Sequence, residues 1–210
     1  MDAGDEAEIG PNAITRVIEA LGPQEAETVF AHAGLEGRLR HPPKRMVPDG
    51  EVARLHEALH AALGTARALE VGADAGRRTG AYLLARRIPA PARLILPFLP
   101  ARLALKILLR AIERHAWTFA GAGSFAWREE DGGFVLEIVG GPVARLVRAP
   151  RPACSYYAET FETIFRTVVA PGTRVTETAC EARGAPCCRF TVDTGRRRPG
   201  AAEAVSSASP

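Results

Sequence analysis

Three of the four cysteines fall within one short stretch, TRVTETACEARGAPCCRFTV at residues 173–192, and the fourth, Cys154, precedes it. Thiolates gathered in this way bind soft metal ions, close disulfides or simply fill a core, and the surroundings decide which. Four cysteines among 210 residues are too few for a disulfide scaffold. The opening MDAGDEAEIGPNA is acidic and lacks the apolar core of a secretory signal. The expected location is therefore cytoplasmic, where clustered cysteines are more often metal ligands than disulfides.

The turn residues Arg183-Gly184-Ala185-Pro186 make the stretch a hairpin. With Gly184 at its centre, Cys180 stands opposite Cys188 and Glu181 opposite Cys187. Alternate residues of a strand share a face, so Cys188 points with Phe190 and Val192, and Cys187 points away. Cys154 lies three residues before Tyr157, at the first turn of a helical pattern, which brings a third sulfur to the same edge. Zinc would need a fourth ligand. No histidine follows His115, which leaves Glu177 and Glu181. Simple alternation turns both away from Cys180, so either one needs a bulge to reach the metal. Spacing does not choose between them, and inert buried thiols or a Cys180–Cys188 disulfide fit it as well.

Other candidates are weaker. His56 and His60 lie four apart on a helical pattern and could share a metal, but no HExxH pattern surrounds them and they read as surface histidines. Gly121-x-Gly123 lacks a third glycine and a following helix, so it is no dinucleotide site. Trp117 and Phe119 alternate before it, and Phe125 and Trp127 after it. That pattern predicts a hairpin with four aromatic rings on one face.

The elements that must position these residues follow from periodicity. Residues 1–9 read as loose. Ile14, Val17, Ile18 and Leu21 predict a helix from Pro11, and a second runs over 23–33. Residues 34–50 read as loop. Asp49 is placed to cap a helix carrying Val52, Leu55, Leu59, Ala62 and Leu63. A long helix over 65–87 follows, whose Gly72, Gly76 and Gly80 should permit a close helix contact. After a proline-broken segment, a helix from Pro100 should turn Leu103, Ile107, Leu108 and Ile112 inward. Arg102, Lys106, Arg110, Glu113 and Arg114 lie opposite; that helix is a core element, a ligand wall or a face resting on a membrane. Phe134, Leu136 and Ile138 predict a strand. Tyr157, Phe161, Ile164, Phe165 and Val168 predict a helix closed by Pro171-Gly172.

Helices followed by strands with one late helix give an α+β class. A single domain is expected over 9–194, with disordered tails at 1–8 and 195–210. The net charge is +3, and Arg196, Arg197 and Arg198 account for it, which leaves no footprint for nucleic acid. Residues 94–112 form the most apolar run but carry Arg102, Lys106 and Arg110, so a soluble protein without a transmembrane helix is expected.

Three segments together, IGPNAITRVIEAL, CSYYAETFETIFR and CEARGAPCCRF, resemble the bacteriochlorophyll-biosynthesis 4-vinyl reductase family, over about residues 9–194. That family is built on the vinyl-4-reductase domain, which is similar to the sensor module of aromatic-responsive transcriptional activators. The resemblance implies a structural zinc on Cys154, Glu177, Cys180 and Cys188. It is similar too to Golgi vesicle-tethering subunits, which implies helices packed on one face of an antiparallel sheet, a C-terminal zinc-clasped hairpin and a tendency to form homodimers. It further implies a role at the reduction of the 8-vinyl (old 4-vinyl) group of a divinyl Mg-tetrapyrrole, of Mg-protoporphyrin or protochlorophyllide type. Such a reduction needs a nicotinamide, flavin or iron–sulfur centre, and no motif for one is visible. The expected function is thus a carrier or accessory factor, with the reductase itself as the alternative and a small-molecule sensor or interaction module further behind. Enzymes of bacteriochlorophyll synthesis are the implied partners. On this reading Trp117, Phe119, Phe125 and Trp127 flank the macrocycle, Arg102, Arg110 or Arg114 meets its propionates, and His115 is the candidate axial ligand for magnesium.

Overall fold

The computed structural model describes residues 7–195. Strand β1 (Glu8–Ile9) leads into helices α1 (Asn12–Ala20), α2 (Pro23–His32) and α3 (Glu36–Arg40). Strand β2 (Val47–Pro48) pairs antiparallel with β1. Two expectations change here. Glu8 and Ile9 are engaged rather than loose, and the proposed loop 34–50 contains α3 and β2. The rest of the expected tails, residues 1–6 and 196–210, lies outside the described residues.

Helix α4 (Asp49–Arg86) is two helices meeting at Gly64, whose φ of 73° and ψ of 161° suit a residue without a side chain. The interruption expected between 63 and 65 is therefore present. The first half buries Val52, Leu55 and Leu59. The second half lays Gly72, Gly76 and Gly80 against helix α9 (Ser155–Val168). A Cβ on Gly72 would stand 2.6 Å from Ser155 Oγ and one on Gly80 2.7 Å from Thr163 Cβ, while one on Gly76 would overlap the Tyr156 carbonyl oxygen. Side chains of α9 use the proximity: Ser155 Oγ donates to the Leu69 carbonyl at 2.9 Å and Thr160 Oγ1 to that of Gly76 at 3.2 Å. The glycine repeat is a packing device, and its partner is the late helix.

His56 is buried beneath that same helix, with Tyr156 edge-on at 5.8 Å, and is not the surface residue expected. Burial pushes its pKa down to about 3, with His60 adding to the shift, so the ring is neutral near pH 7.

After Arg86 the prolines break the chain into α5 (Ala90–Ile95), a 3-10 turn (Leu96–Phe98) and α6 (Ala101–Arg114). The inward stripe of α6 is Ala104, Leu105, Leu108 and Leu109, while Leu103 and Ile107 are 46% and 44% exposed. The helix is thus rotated from the orientation expected. Arg102 and Lys106 both reach Glu129 on the neighbouring strand, which turns Leu103 and Ile107 outward.

Trp117 and Phe119 also depart from expectation. They sit in α7 (Trp117–Ala120), a single turn closed by hydrogen bonds from the Phe119 and Ala120 N–H groups to the Ala116 carbonyl. Residues two apart fit one helical turn as readily as one strand when the segment is this short. Gly121, at φ 61°, ends the turn. Strand β3 (Ser124–Glu130) then pairs with β4 (Gly133–Val139) across Asp131-Gly132, and a one-turn helix α8 (Pro142–Arg145) follows. The four aromatic side chains do not share a face.

Beyond α9, strands β5 (Arg174–Ala179) and β6 (Cys188–Asp193) complete an antiparallel sheet ordered β3-β4-β6-β5. Phe134, Leu136 and Ile138 stand opposite Val192, Phe190 and Cys188, so all six share one face. Helix α9 covers that face with Phe161, 6.2 Å from Phe190 and 6.0 Å from Phe125 between ring centroids. Burying each such side chain contributes roughly 1.5–3 kcal/mol. The other face carries Arg128 and Arg189, both paired with Glu137. The architecture is α+β: sheet, then α9, then α4 and α1 behind it. Among the described residues no helix is long and apolar enough to cross a membrane.

Candidate metal centre

Cys154 ends the approach to α9 as its N-cap residue, while Cys180 and Cys188 lie at the tip of the β5–β6 hairpin. All three are buried. Their sulfurs stand 3.9 Å (Cys154–Cys180), 3.3 Å (Cys154–Cys188) and 3.8 Å (Cys180–Cys188) apart. Tetrahedral zinc–thiolate bonds of about 2.3 Å place sulfurs about 3.8 Å from one another, so the triangle has the right size.

The fourth ligand is decided by the strand register. Ala179 stands opposite Arg189, as a turn centred on Gly184 requires, but Glu177 stands opposite Phe190, so the register shifts between them. Thr178 is the extra residue of a β-bulge, and the bulge turns Glu177 onto the face of Phe190 and Cys188. One ligand atom from each of Cys154, Glu177, Cys180 and Cys188 lies within 4.8 Å of the others. Glu177 Oε2 accepts the Cys154 backbone N–H at 2.8 Å, whereas its Oε1 is buried without a hydrogen-bond partner. A buried carboxylate oxygen with no donor is costly, and coordination would satisfy it. Glu181 is used elsewhere: its Oε1 accepts the Gly140 N–H at 2.8 Å.

The electrostatics agree with a cation site. Burial raises the Glu177 carboxyl to about 8. Hydrogen bonds from Cys154 and Cys188 pull the Cys180 thiol well below the ordinary range, and the bond to Cys180 pushes Cys154 well above it. Without a cation the cluster thus supports one thiolate shared among three sulfurs. A divalent ion would let every ligand ionise. The Ala153 N–H, 3.4 Å from Cys180 Sγ, is an outer hydrogen bond of the kind that orients a ligand. Three soft thiolates and one carboxylate fit zinc and fill a tetrahedron, which leaves no position for substrate. Cys187 is also buried, but its nearest polar partner is Glu137, on the opposite face of the sheet.

A buried ion pair ties this end of the sheet to the helices, and the sequence reading missed it. Asp49, expected to cap α4, instead is its first residue, after Pro48. Its carboxylate accepts the Ala122 N–H at 2.8 Å and both terminal nitrogens of Arg145, at 2.7 and 3.1 Å. Hydrogen bonding from Arg145 holds the Asp49 carboxyl below its usual range. Arg145 also donates to the Gly140 carbonyl, and Gly140 donates to Glu181 beside the clasp. No local pattern could have paired Asp49 with a residue 96 positions away.

The proposed macrocycle residues separate into two groups. Phe119 and Phe125 pack inside, 5.4 Å apart and each 6.0 Å from Phe161, so rings fill the space between α6 and the sheet. Arg102 is occupied by Glu129, and Trp127 Nε1 donates to Glu113 at 3.2 Å. Arg110, Arg114, His115 and Trp117 are exposed at the end of α6. A separate open hollow of about 620 Å³, unforeseen from the sequence, is lined by Arg148–Pro150 and Glu181–Gly184 beside the clasp.

Comparison with known proteins adds to this geometry. Residues 134–194, spanning β4 to β6, match the vinyl-4-reductase domain. The chain is similar to the bacteriochlorophyll synthase 23 kDa chain of Cereibacter sphaeroides, 40% identical over 87% of this chain and 88% of that one. It is also similar to the bacteriochlorophyll synthase 23 kDa chain of Rhodobacter capsulatus, 37% identical over 87% and 86%. Among solved structures, the phenol-responsive sensory domain of the transcription activator PoxR matches with a TM-score of 0.48 and 15% identity, over 82% of this chain and 90% of that one.

Proposed function

Because the chain belongs to the family of the bacteriochlorophyll synthase 23 kDa chain, we propose that it acts in bacteriochlorophyll biosynthesis by holding a divinyl Mg-tetrapyrrole. In this reading it is a carrier or accessory factor for reduction of the 8-vinyl group, with a Mg-protoporphyrin or protochlorophyllide as cargo. Its zinc is structural, held by Cys154, Glu177, Cys180 and Cys188, and closes the hairpin onto α9. A closed site for a redox-inert ion supplies neither hydride nor electrons, which favours carrier over reductase.

The observation that carries the reading is the state of His115. Its Nδ1 lies 2.8 Å from the Ala111 carbonyl oxygen, which can only accept, so in the neutral ring the proton sits on Nδ1. The lone pair of Nε2 then remains available as an axial ligand for magnesium. Trp117, 58% exposed, offers a flat apolar surface two residues on. Arg110 and Arg114 are exposed and positioned on the same helix end to meet propionates. An open surface also suits a cargo that must be handed on.

Absorption titration of the purified protein with Mg-divinyl-protoporphyrin tests this. The expected result is a saturable shift of the main band, with affinity falling at least about tenfold in His115→Ala, the scale on which metal sites lose affinity when a supporting group is removed. No shift in the native chain would overturn the carrier reading.

A further inference from the structure

The segment between α4 and α6 presents apolar side chains to solvent that core packing does not explain. Phe98 is 89% exposed, Leu94 68%, Ile95 58%, Leu103 46% and Ile107 44%. They come from α5, the 3-10 turn and the outward stripe of α6, so they are contributed by consecutive elements of one helical hairpin. Leu96, by contrast, is buried from the same turn and anchors it to the core. The turn is held by prolines at 97 and 100, which fix its backbone and keep Phe98 pointing away from its own domain.

Charge says what this surface meets. Arg87, Arg93, Arg110 and Arg114 lie on the same segment, are exposed, and make no ion pair among the described residues. Glu113 is the one acidic residue between 87 and 116. Exposed Leu, Ile and Phe set among arginines form the pattern of an element lying in a membrane interface, with its apolar side chains among acyl chains and its cations among anionic headgroups. Pairing with a second copy across a two-fold axis would bring these arginines against one another. We propose that the Leu94–Ile107 hairpin docks the protein on an anionic lipid surface. The proposal is independent of the pigment site, whose Nε2 ligand lies at the far end of α6.

The test is flotation of the full chain with vesicles of phosphatidylcholine alone and of phosphatidylcholine mixed with phosphatidylglycerol. Binding is expected to the mixed vesicles and to fall as salt rises. Phe98→Glu, at a site too exposed to alter the core, is expected to weaken it about tenfold or more, and Arg93→Gln about fivefold. Circular dichroism melting identical to the native chain would show that each variant is folded. Arg196, Arg197 and Arg198 remain in every variant, so binding driven by them would persist in Phe98→Glu and overturn the proposal. Absence of native binding to the mixed vesicles would overturn it as well. So would a native dimer, seen by sedimentation equilibrium, that Phe98→Glu dissociates while vesicle binding is unchanged.

Discussion

Cys180→Ser is expected to empty the clasp and to destabilise the whole domain. The native chain should contain about one zinc per molecule and the variant almost none, because the serine hydroxyl is a far poorer ligand than a thiolate. Binding energy at a structural site is folding energy. Here three buried sulfurs and a buried carboxylate join α9 to the hairpin, so the variant should lose about 4 kcal/mol or more and melt roughly 10 °C lower. Two controls make the assignment specific. Cys187→Ser should keep its zinc, because Cys187 lies beside Glu137 on the other face. Glu181→Gln should keep it too, because Glu181 is held by Gly140 rather than aimed at the sulfurs. Equal zinc in native and Cys180→Ser proteins would remove the site.

Asp49→Ala should be the costliest change away from the clasp. The Asp49 side chain is 5% exposed and that of Arg145 31%, so removing the carboxylate leaves a guanidinium largely buried and the Ala122 N–H unpaired. Breaking a fully buried pair costs about 3–5 kcal/mol. The partial exposure of Arg145 lowers the expected loss to about 2–3 kcal/mol, read from urea unfolding at pH 7. The effect has a pH dependence of known sign. The folded carboxyl lies below its unfolded value of about 3.9. Its contribution is therefore complete above that value and disappears as pH falls through the lower, folded value. Native and variant stabilities should converge in acid and stand apart at neutral pH. Zinc content should be unchanged, which separates this prediction from the first.

The candidate site was legible in the sequence to an unusual depth because its ligands are local. Cys180 and Cys188 are set by one turn, and Cys154 by the period of one helix. Only the bulge at Thr178 escaped, since an extra residue in a strand leaves no periodic trace; the family resemblance named Glu177 before the register explained it. The helices were legible where a stripe faced one neighbour, as in α1 and α9. They were misread where two neighbours competed. α6 has leucine or isoleucine on nearly every side, and only the Glu129 ion pairs decide its rotation. Trp117 and Phe119 failed for a related reason: two residues cannot distinguish a strand from one helical turn. His56 looked like a surface residue because the helix that buries it lies about a hundred positions later in the chain, and the Asp49–Arg145 pair was invisible for the same cause.

On the proposed reading a clasp holds the domain, an open surface holds the pigment, and chemistry on the vinyl group belongs to another protein. The most direct measurement is incubation of the purified, zinc-loaded chain with Mg-divinyl tetrapyrrole, once with NADPH and once with reduced ferredoxin, followed by mass analysis of the pigment. The carrier role predicts that the pigment is recovered bound and with both vinyl groups intact. Gain of two hydrogens with either donor would contradict it and make the chain the reductase.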